Sequence, residues 1–135
     1  MNRKLECIML VDDNADDNFI HQRAINQQYA EVDVITKMTG EEGLAHLKAI
    51  PENKTSPPDL IFLDINMPGM NGWEFLKEYD HLEKSMQGST IVIMLTSSDV
   101  VEDIVRAKSW PFVSDFITKP LTREKIMGIA KKFFI

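Results

Sequence analysis

Leu60-Ile61-Phe62-Leu63-Asp64-Ile65-Asn66-Met67-Pro68-Gly69-Met70-Asn71-Gly72 joins an uninterrupted apolar run to a carboxylate and then to a loop rich in turn residues. Four successive large apolar residues bounded by turn signals read as a strand buried on both faces, the kind that parallel sheets use. Asp64 stands where that strand becomes loop. The same edge recurs at Ile8-Met9-Leu10-Val11-Asp12-Asp13, at Val92-Ile93-Met94-Leu95-Thr96 and at Phe116-Ile117-Thr118-Lys119-Pro120. Ligands of open α/β sheets bind outside the carboxyl ends of the strands, so these four polar termini converge if the strands are parallel.

Outward from these edges, strand-like and helix-like patterns alternate five times, which predicts a parallel sheet with helices on both faces, a (βα)5 chain. The strands are expected near Glu6–Val11, Asp33–Lys37, Leu60–Leu63, Ile91–Leu95 and Val113–Thr118. The first helix starts near Asn14, which can cap its amides, and Asp17 complements the positive end of its dipole. The second follows Thr39 and ends at Pro51. The third begins near Gly72, the fourth runs through Val100, Val101, Ile104, Val105 and Ala107, and the fifth through Ile126, Ile129, Ala130, Phe133 and Phe134.

The chain has 135 residues, 44% of them apolar and 27% charged, which suits a single globular domain over residues 1–135. A net charge of −6 argues against nucleic-acid binding, which needs a basic face. Cys7 is the only cysteine, so no internal disulfide can form, and its place in the first strand makes it a small hydrophobe. No apolar stretch approaches the ~20 residues that span a bilayer, and Met1-Asn2-Arg3-Lys4 leads directly into a strand, so a cytoplasmic protein without a membrane segment is expected.

With these residues in this order, the chain resembles the receiver domain of two-component response regulators, the chemotaxis-regulator type. The resemblance implies a doubly wound, flavodoxin-like five-stranded sheet of order 2-1-3-4-5. Asp12 and Asp13 resemble the family's acidic pair, Asp64 its phosphoacceptor, Thr96 its switch hydroxyl, Phe116 its switch aromatic, and Lys119 its lysine before a cis proline, here Pro120. Met67-Pro68-Gly69-Met70-Asn71-Gly72 adds to the match. The implied protein is a phosphoacceptor signalling switch and not a conventional enzyme. It takes a phosphoryl group from a histidine kinase or a histidine phosphotransfer protein and, lacking a fused output domain, acts through an unknown downstream protein, as a monomer or a phosphorylation-dependent homodimer.

Transfer to an aspartate needs an ionised carboxylate, a divalent cation and a fixed positive charge. By resemblance, Mg2+ (with Mn2+ as a substitute) is bound directly by Asp13, Asp64 and the carbonyl of Asn66, with Asp12 acting through water, and it is the metal that makes Asp64 an anion at neutral pH. Lys119 pairs with Asp64 before transfer and with a phosphoryl oxygen afterwards. Thr96 donates its hydroxyl to another oxygen, Phe116 turns into the space vacated, and the surface of helix four, strand five and helix five is reshaped for a partner. Self-phosphorylation from small donors and slow autodephosphorylation belong to the same chemistry.

Other motifs fail on their residues. Asp12 to Arg23 begins like a calcium loop but has Asp17 where glycine is needed and Arg23 where glutamate is needed. A dehalogenase-like hydrolase needs an aspartate two residues beyond its nucleophile, and that position is Asn66. There is no Walker loop and no nucleophile elbow, and His21, His46 and His81 lack metal-ligand spacing and read as surface or boundary residues. The chain departs from the family at Trp110-Pro111-Phe112, where small residues are usual; this bulky segment either offers a docking anchor or folds over the end of helix four as core. Pro51 to Pro58 and Glu83 to Ser89 are longer than usual connections, expected to be surface insertions.

Overall fold

The computed structural model describes residues 3–97 and 101–134, leaving aside the side chain of Val101. Met1, Asn2 and Val100, which the sequence reading used, lie outside the described residues. Strands β1 (Cys7–Val11), β2 (Asp33–Lys37), β3 (Leu60–Asp64), β4 (Ile91–Thr96) and β5 (Val113–Thr118) form one sheet in the order β2-β1-β3-β4-β5. All four pairings are parallel. The chain therefore steps one way from β1 to β2 and then back across β1 to β3, and the switch point lies between the ends of β1 and β3, where Asp12, Asp13 and Asp64 stand.

Side-chain alternation divides the core in two. Met9, Val11, Ile61, Leu63, Val92 and Met94 face α2 (Gly40–Lys48), α3 (Gly72–Asp80) and α4 (Val101–Lys108), while Ile8, Leu10, Leu60, Phe62, Ile93 and Leu95 face α1 (Ala15–Gln28) and α5 (Arg123–Phe133). Each of these large side chains contributes about 1.5–3 kcal/mol when fully buried. The three central strands, covered on both faces, are thus the rigid base from which the polar edge residues project.

Local chemistry sets the helix starts. Asn14 Oδ1 accepts from the N–H groups of Asp16 and Asp17 at 2.9 and 3.1 Å, Thr39 Oγ1 accepts from Glu42, and Asn71 and Glu74 exchange bonds in a capping box. Pro51 does not end the second helix. That helix stops at Lys48, and Pro51 lies in the first turn of a separate helical turn, Ile50–Asn53, where a missing N–H costs nothing. The long connection before β4 likewise holds a single turn, Lys84–Gln87, tied down by the Gln87 amide, which donates to the carbonyls of Tyr79 and Leu82.

In the Trp110-Pro111-Phe112 segment the two aromatic rings are half-buried against the core and Pro111 is exposed. Trp110 and Phe112 pack against the α2/α3 cluster, their ring centroids 5.8 Å apart, and Phe112 lies 5.0 Å from Tyr79 of α3. Cys7 is half-buried, and burial, followed by the nearby Asp59 and Asp33 carboxylates, pushes its thiol up to about 11, which makes it a poor nucleophile. Among the described residues no helix is long and apolar enough to cross a membrane.

Candidate functional site

Asp64 is the last residue of β3 and is only 4% exposed. The turn behind it depends on Gly72: a Cβ there would lie 2.8 Å from the Asp64 carbonyl oxygen and 2.8 Å from Ile65 Cα, so no side chain fits without moving backbone. The N–H of Gly72 donates to the Ile65 carbonyl at 2.8 Å, and the N–H of Ile65 donates across to Leu95 at 3.0 Å. These bonds hold the loop close to the sheet and aim the carboxylate along the strand end.

Asp12, 2% exposed at the end of β1, is fixed by backbone and side-chain bonds. Its N–H donates to the Lys37 carbonyl at 3.0 Å, its Oδ1 accepts from the N–H of Asn14 at 3.0 Å, and its carbonyl accepts from the Asn18 amide at 2.9 Å. Asp13 lies further toward solvent. One oxygen from each of Asp12, Asp13 and Asp64 falls within 4.8 Å of the others. The sequence reading placed these three at one sheet edge, and the fold brings them together.

Lys119 faces all of this from the end of β5. Its Nζ lies 2.7 Å from Asp12 Oδ2, 3.0 Å from Asp17 Oδ2 and 3.5 Å from Asp64 Oδ1. Lys119-Pro120 is a cis peptide, as the resemblance implies. The ammonium thus pairs with Asp64, as expected, but lies closer to Asp12 and Asp17. Burial works against its charge, but the carboxylates of Asp12 and Asp17, with Asp64, outweigh it and hold the lysine pKa above its ordinary value.

Burial and the nearby Asp12 carboxylate push the Asp64 carboxyl up to about 6, with Lys119 opposing them and Asp13 adding to them. A cation beside the raised carboxyl would favour its ionised form, in line with the expected role of the metal.

A divalent cation fits these residues. Three carboxylates against one lysine leave two negative charges, and all the donors are hard oxygens, as Mg2+ requires. Oxygens around Mg2+ are at most ~4.2 Å apart, and the three carboxylates, within 4.8 Å of one another, stand close enough to share one ion.

Thr96 ends β4 fully buried, and its carbonyl accepts from the N–H of Lys119 at 2.7 Å. Phe116 is half-buried against the α2/α3 cluster and lines a groove of about 210 Å³ with Ala107, Lys108, Val113, Asp115 and Lys132. Asn66 is exposed in the loop after β3.

Two contributors escape a reading by motif. Asp17, which the sequence presents as a partner of the helix dipole, also accepts a hydrogen bond from Lys119 at 3.0 Å. His21 is not a surface residue: it is 2% exposed, and its Nε2 accepts from the N–H of Leu121 at 3.3 Å, which ties α1 to the loop carrying Lys119. Burial holds its imidazole below the ordinary value, helped by Lys119 and opposed by Asp17 and Asp12. Asp17, Asn18, His21 and Ile25 follow the three- and four-residue spacing of one helix face, the one signal that could have placed them inward.

Residues 8–131 match the family described as the response regulator receiver domain. Protein PilG of Pseudomonas aeruginosa is 35% identical over 100 residues, covering 73% of this chain and 67% of that protein. Hybrid signal transduction histidine kinase L of Dictyostelium discoideum is 29% identical over 126 residues, 93% of this chain but 7% of the kinase; sensor histidine kinase GacS of Pseudomonas protegens is matched over 13% of its length. The chain thus spans a small part of those two relatives. Among solved structures, a two-component response regulator from Cytophaga hutchinsonii superposes with a TM-score of 0.85 at 28% identity, covering 96% of this chain and 97% of that one. Chemotaxis protein CheY4 of Vibrio cholerae gives 0.76 at 26% identity, covering 96% and 99%.

Proposed function

The chain belongs to the response regulator receiver domain family, whose members are phosphorylated by histidine kinases in two-component signalling, and from that premise we propose that Asp64 is its phosphoacceptor. The observation that carries this reading is the meeting of Asp12, Asp13 and Asp64 beneath the Lys119 ammonium at the β1/β3 switch point. The Asp64 carboxylate oxygen attacks the phosphorus of a phosphohistidine on a partner; the P–O bond forms as the P–N bond breaks, and the imidazole leaves with the electron pair. Bound Mg2+ or Mn2+ supplies neutralisation of phosphoryl oxygen charge.

Asp13, Asp64 and the Asn66 carbonyl would hold that cation directly and Asp12 through water. Lys119, held near the end of β5, meets a phosphoryl oxygen, and Thr96 donates its hydroxyl to another. Movement of Thr96 lets Phe116 turn inward, which alters the surface formed by α4, β5 and α5, where the groove beside Phe116 lies. Return of the group to water, and charging by small phosphodonors, use the same residues.

In this reading the receiver is cytoplasmic and passes its signal to a downstream protein as a monomer or as a dimer formed on phosphorylation. Intact mass before and after acetyl phosphate and Mg2+ tests the proposal: one phosphoryl group should appear on the native protein and none on Asp64→Asn. A label that persists in the variant at equal yield would refute it.

A further inference from the structure

Three carboxylates share the Lys119 ammonium, but they do not hold it alike. Asp12 Oδ2 makes the closest ion pair at 2.7 Å, Asp17 Oδ2 takes a hydrogen bond at 3.0 Å, and Asp64 stands off at 3.5 Å. Asp17 is also the one of the three outside the cation-binding group of Asp12, Asp13 and Asp64. A divalent cation at that group draws on the charge of Asp12 and Asp64 and leaves Asp17 as the main partner of the lysine.

We infer that Asp17 is a positioning residue that restrains the switch: its carboxylate competes with the phosphoryl group for Lys119 and weakens the hold of the site on phosphoryl-type anions. This rests on the reading of Lys119 as a phosphoryl ligand. Four carboxylates against one ammonium and a divalent cation leave one negative charge at the site, and an incoming anion must overcome it. Asp17 supplies that excess charge. Its place in the first turn of α1, where its own N–H is bonded to Asn14 Oδ1 at 3.1 Å, fixes it there, so Lys119 has to leave a set partner to follow the phosphoryl group. With the Asp17 side chain one-third exposed and that of Lys119 15% exposed, solvent screens the pair in part, and the restraint is one of degree.

The test measures two affinities by calorimetry: that of Mg2+ alone, and that of beryllofluoride at saturating Mg2+. Asp17→Asn should bind beryllofluoride about twofold to fivefold more tightly than the native protein. It should bind Mg2+ more weakly, because Lys119 then leans fully on Asp12 and Asp64. Opposite signs distinguish this role from structural damage, which would lower both affinities. Asp17→Glu should return both toward native values, and Asp17→Ser gives the same reading as Asn if the Asn variant does not fold. Unchanged or weaker beryllofluoride binding in the folded, charge-removed variant would overturn the inference. Lys119→Ala separates the two levels: if it binds beryllofluoride as the native protein does, the phosphoryl-ligand reading of Lys119 falls, and with it this inference. If Lys119→Ala loses affinity and Asp17→Asn gains none, only the restraint is refuted.

Discussion

The backbone N–H of Lys119 donates to the carbonyl of Thr96 at 2.7 Å, so the ends of β4 and β5 that carry the lysine and the hydroxyl are joined by one hydrogen bond. Movement of either residue toward a phosphoryl group is therefore felt at the other. The pairing of Thr96 with Thr118 and of Met94 with Phe116 continues that link down β5 to the aromatic ring.

Thr96→Ala should weaken coupling between the site and the α4/β5/α5 surface. A hydrogen bond to a charged oxygen is worth roughly 1.5–3 kcal/mol, a bias of about tenfold to hundredfold between two states. Hydrogen exchange with and without beryllofluoride should show a protection change around β5 in the native protein and a much smaller one in Thr96→Ala. Equal changes in both would remove Thr96 from the coupling route.

Stability without metal should depend on pH through Asp64. Its folded pKa of about 6 lies above the ordinary 3.8, so the folded state binds the proton more tightly; this contribution is fully present below pH 3.8 and is lost as pH rises through 6. Asp64→Asn removes the penalty and should be more stable than the native protein by up to about 3 kcal/mol above pH 7, the gain vanishing toward pH 4. His21, whose pKa is lowered, loses stability as pH falls below 6.5, but it is common to both proteins and cancels in the difference. Melting temperatures of the pair across this range check the sign; a gain that grows toward low pH would contradict it.

Cation affinity should fall further for Asp13→Ala than for Asp12→Ala, since Asp13 is proposed to bind the ion directly. Asp12 also pairs with Lys119, so its loss frees the lysine to repel the cation from Asp64 and some weakening is expected there too. Mg2+ titration followed by Trp73 fluorescence decides the order. Equal losses would refute the ranking.

Gly72→Ala should destabilise the fold by about 1–3 kcal/mol, because the added methyl meets backbone atoms that cannot turn aside. The turn that aims Asp64 would shift with it, so Mg2+ affinity should fall as well. An alanine variant with native melting temperature and native Mg2+ binding would show that the close approach is not needed.

The strands and the four polar edges were legible because buried parallel strands write their character as continuous apolar runs, and Leu60–Asp64 and Ile91–Thr96 differ from the expected spans by one residue each. The helix starts at Asn14, Thr39 and Asn71 lie at or within one residue of the expected places, and of their three side-chain caps only that of Asn14 was anticipated. What sequence could not give was lateral placement. Asp17 and His21 belong to the site only because α1 packs beside the loop after β5, 102 and 100 residues away along the chain. Trp110 presented two outcomes, and its packing on Phe112, which meets Tyr79, is a contact that sequence alone does not show. Pro51 suits both the end of one helix and the first turn of another, and only the backbone distinguishes them.

The central claim is that Asp64 itself receives the phosphoryl group. Charging the native protein with acetyl phosphate and Mg2+, reducing the acyl phosphate with borohydride and sequencing the peptides by mass spectrometry reads the modified residue directly. Homoserine at position 64, and at none of Asp12, Asp13 or Asp17, is the predicted result; reduction at another aspartate, or none in a protein whose intact mass shows the phosphoryl group, would contradict the account.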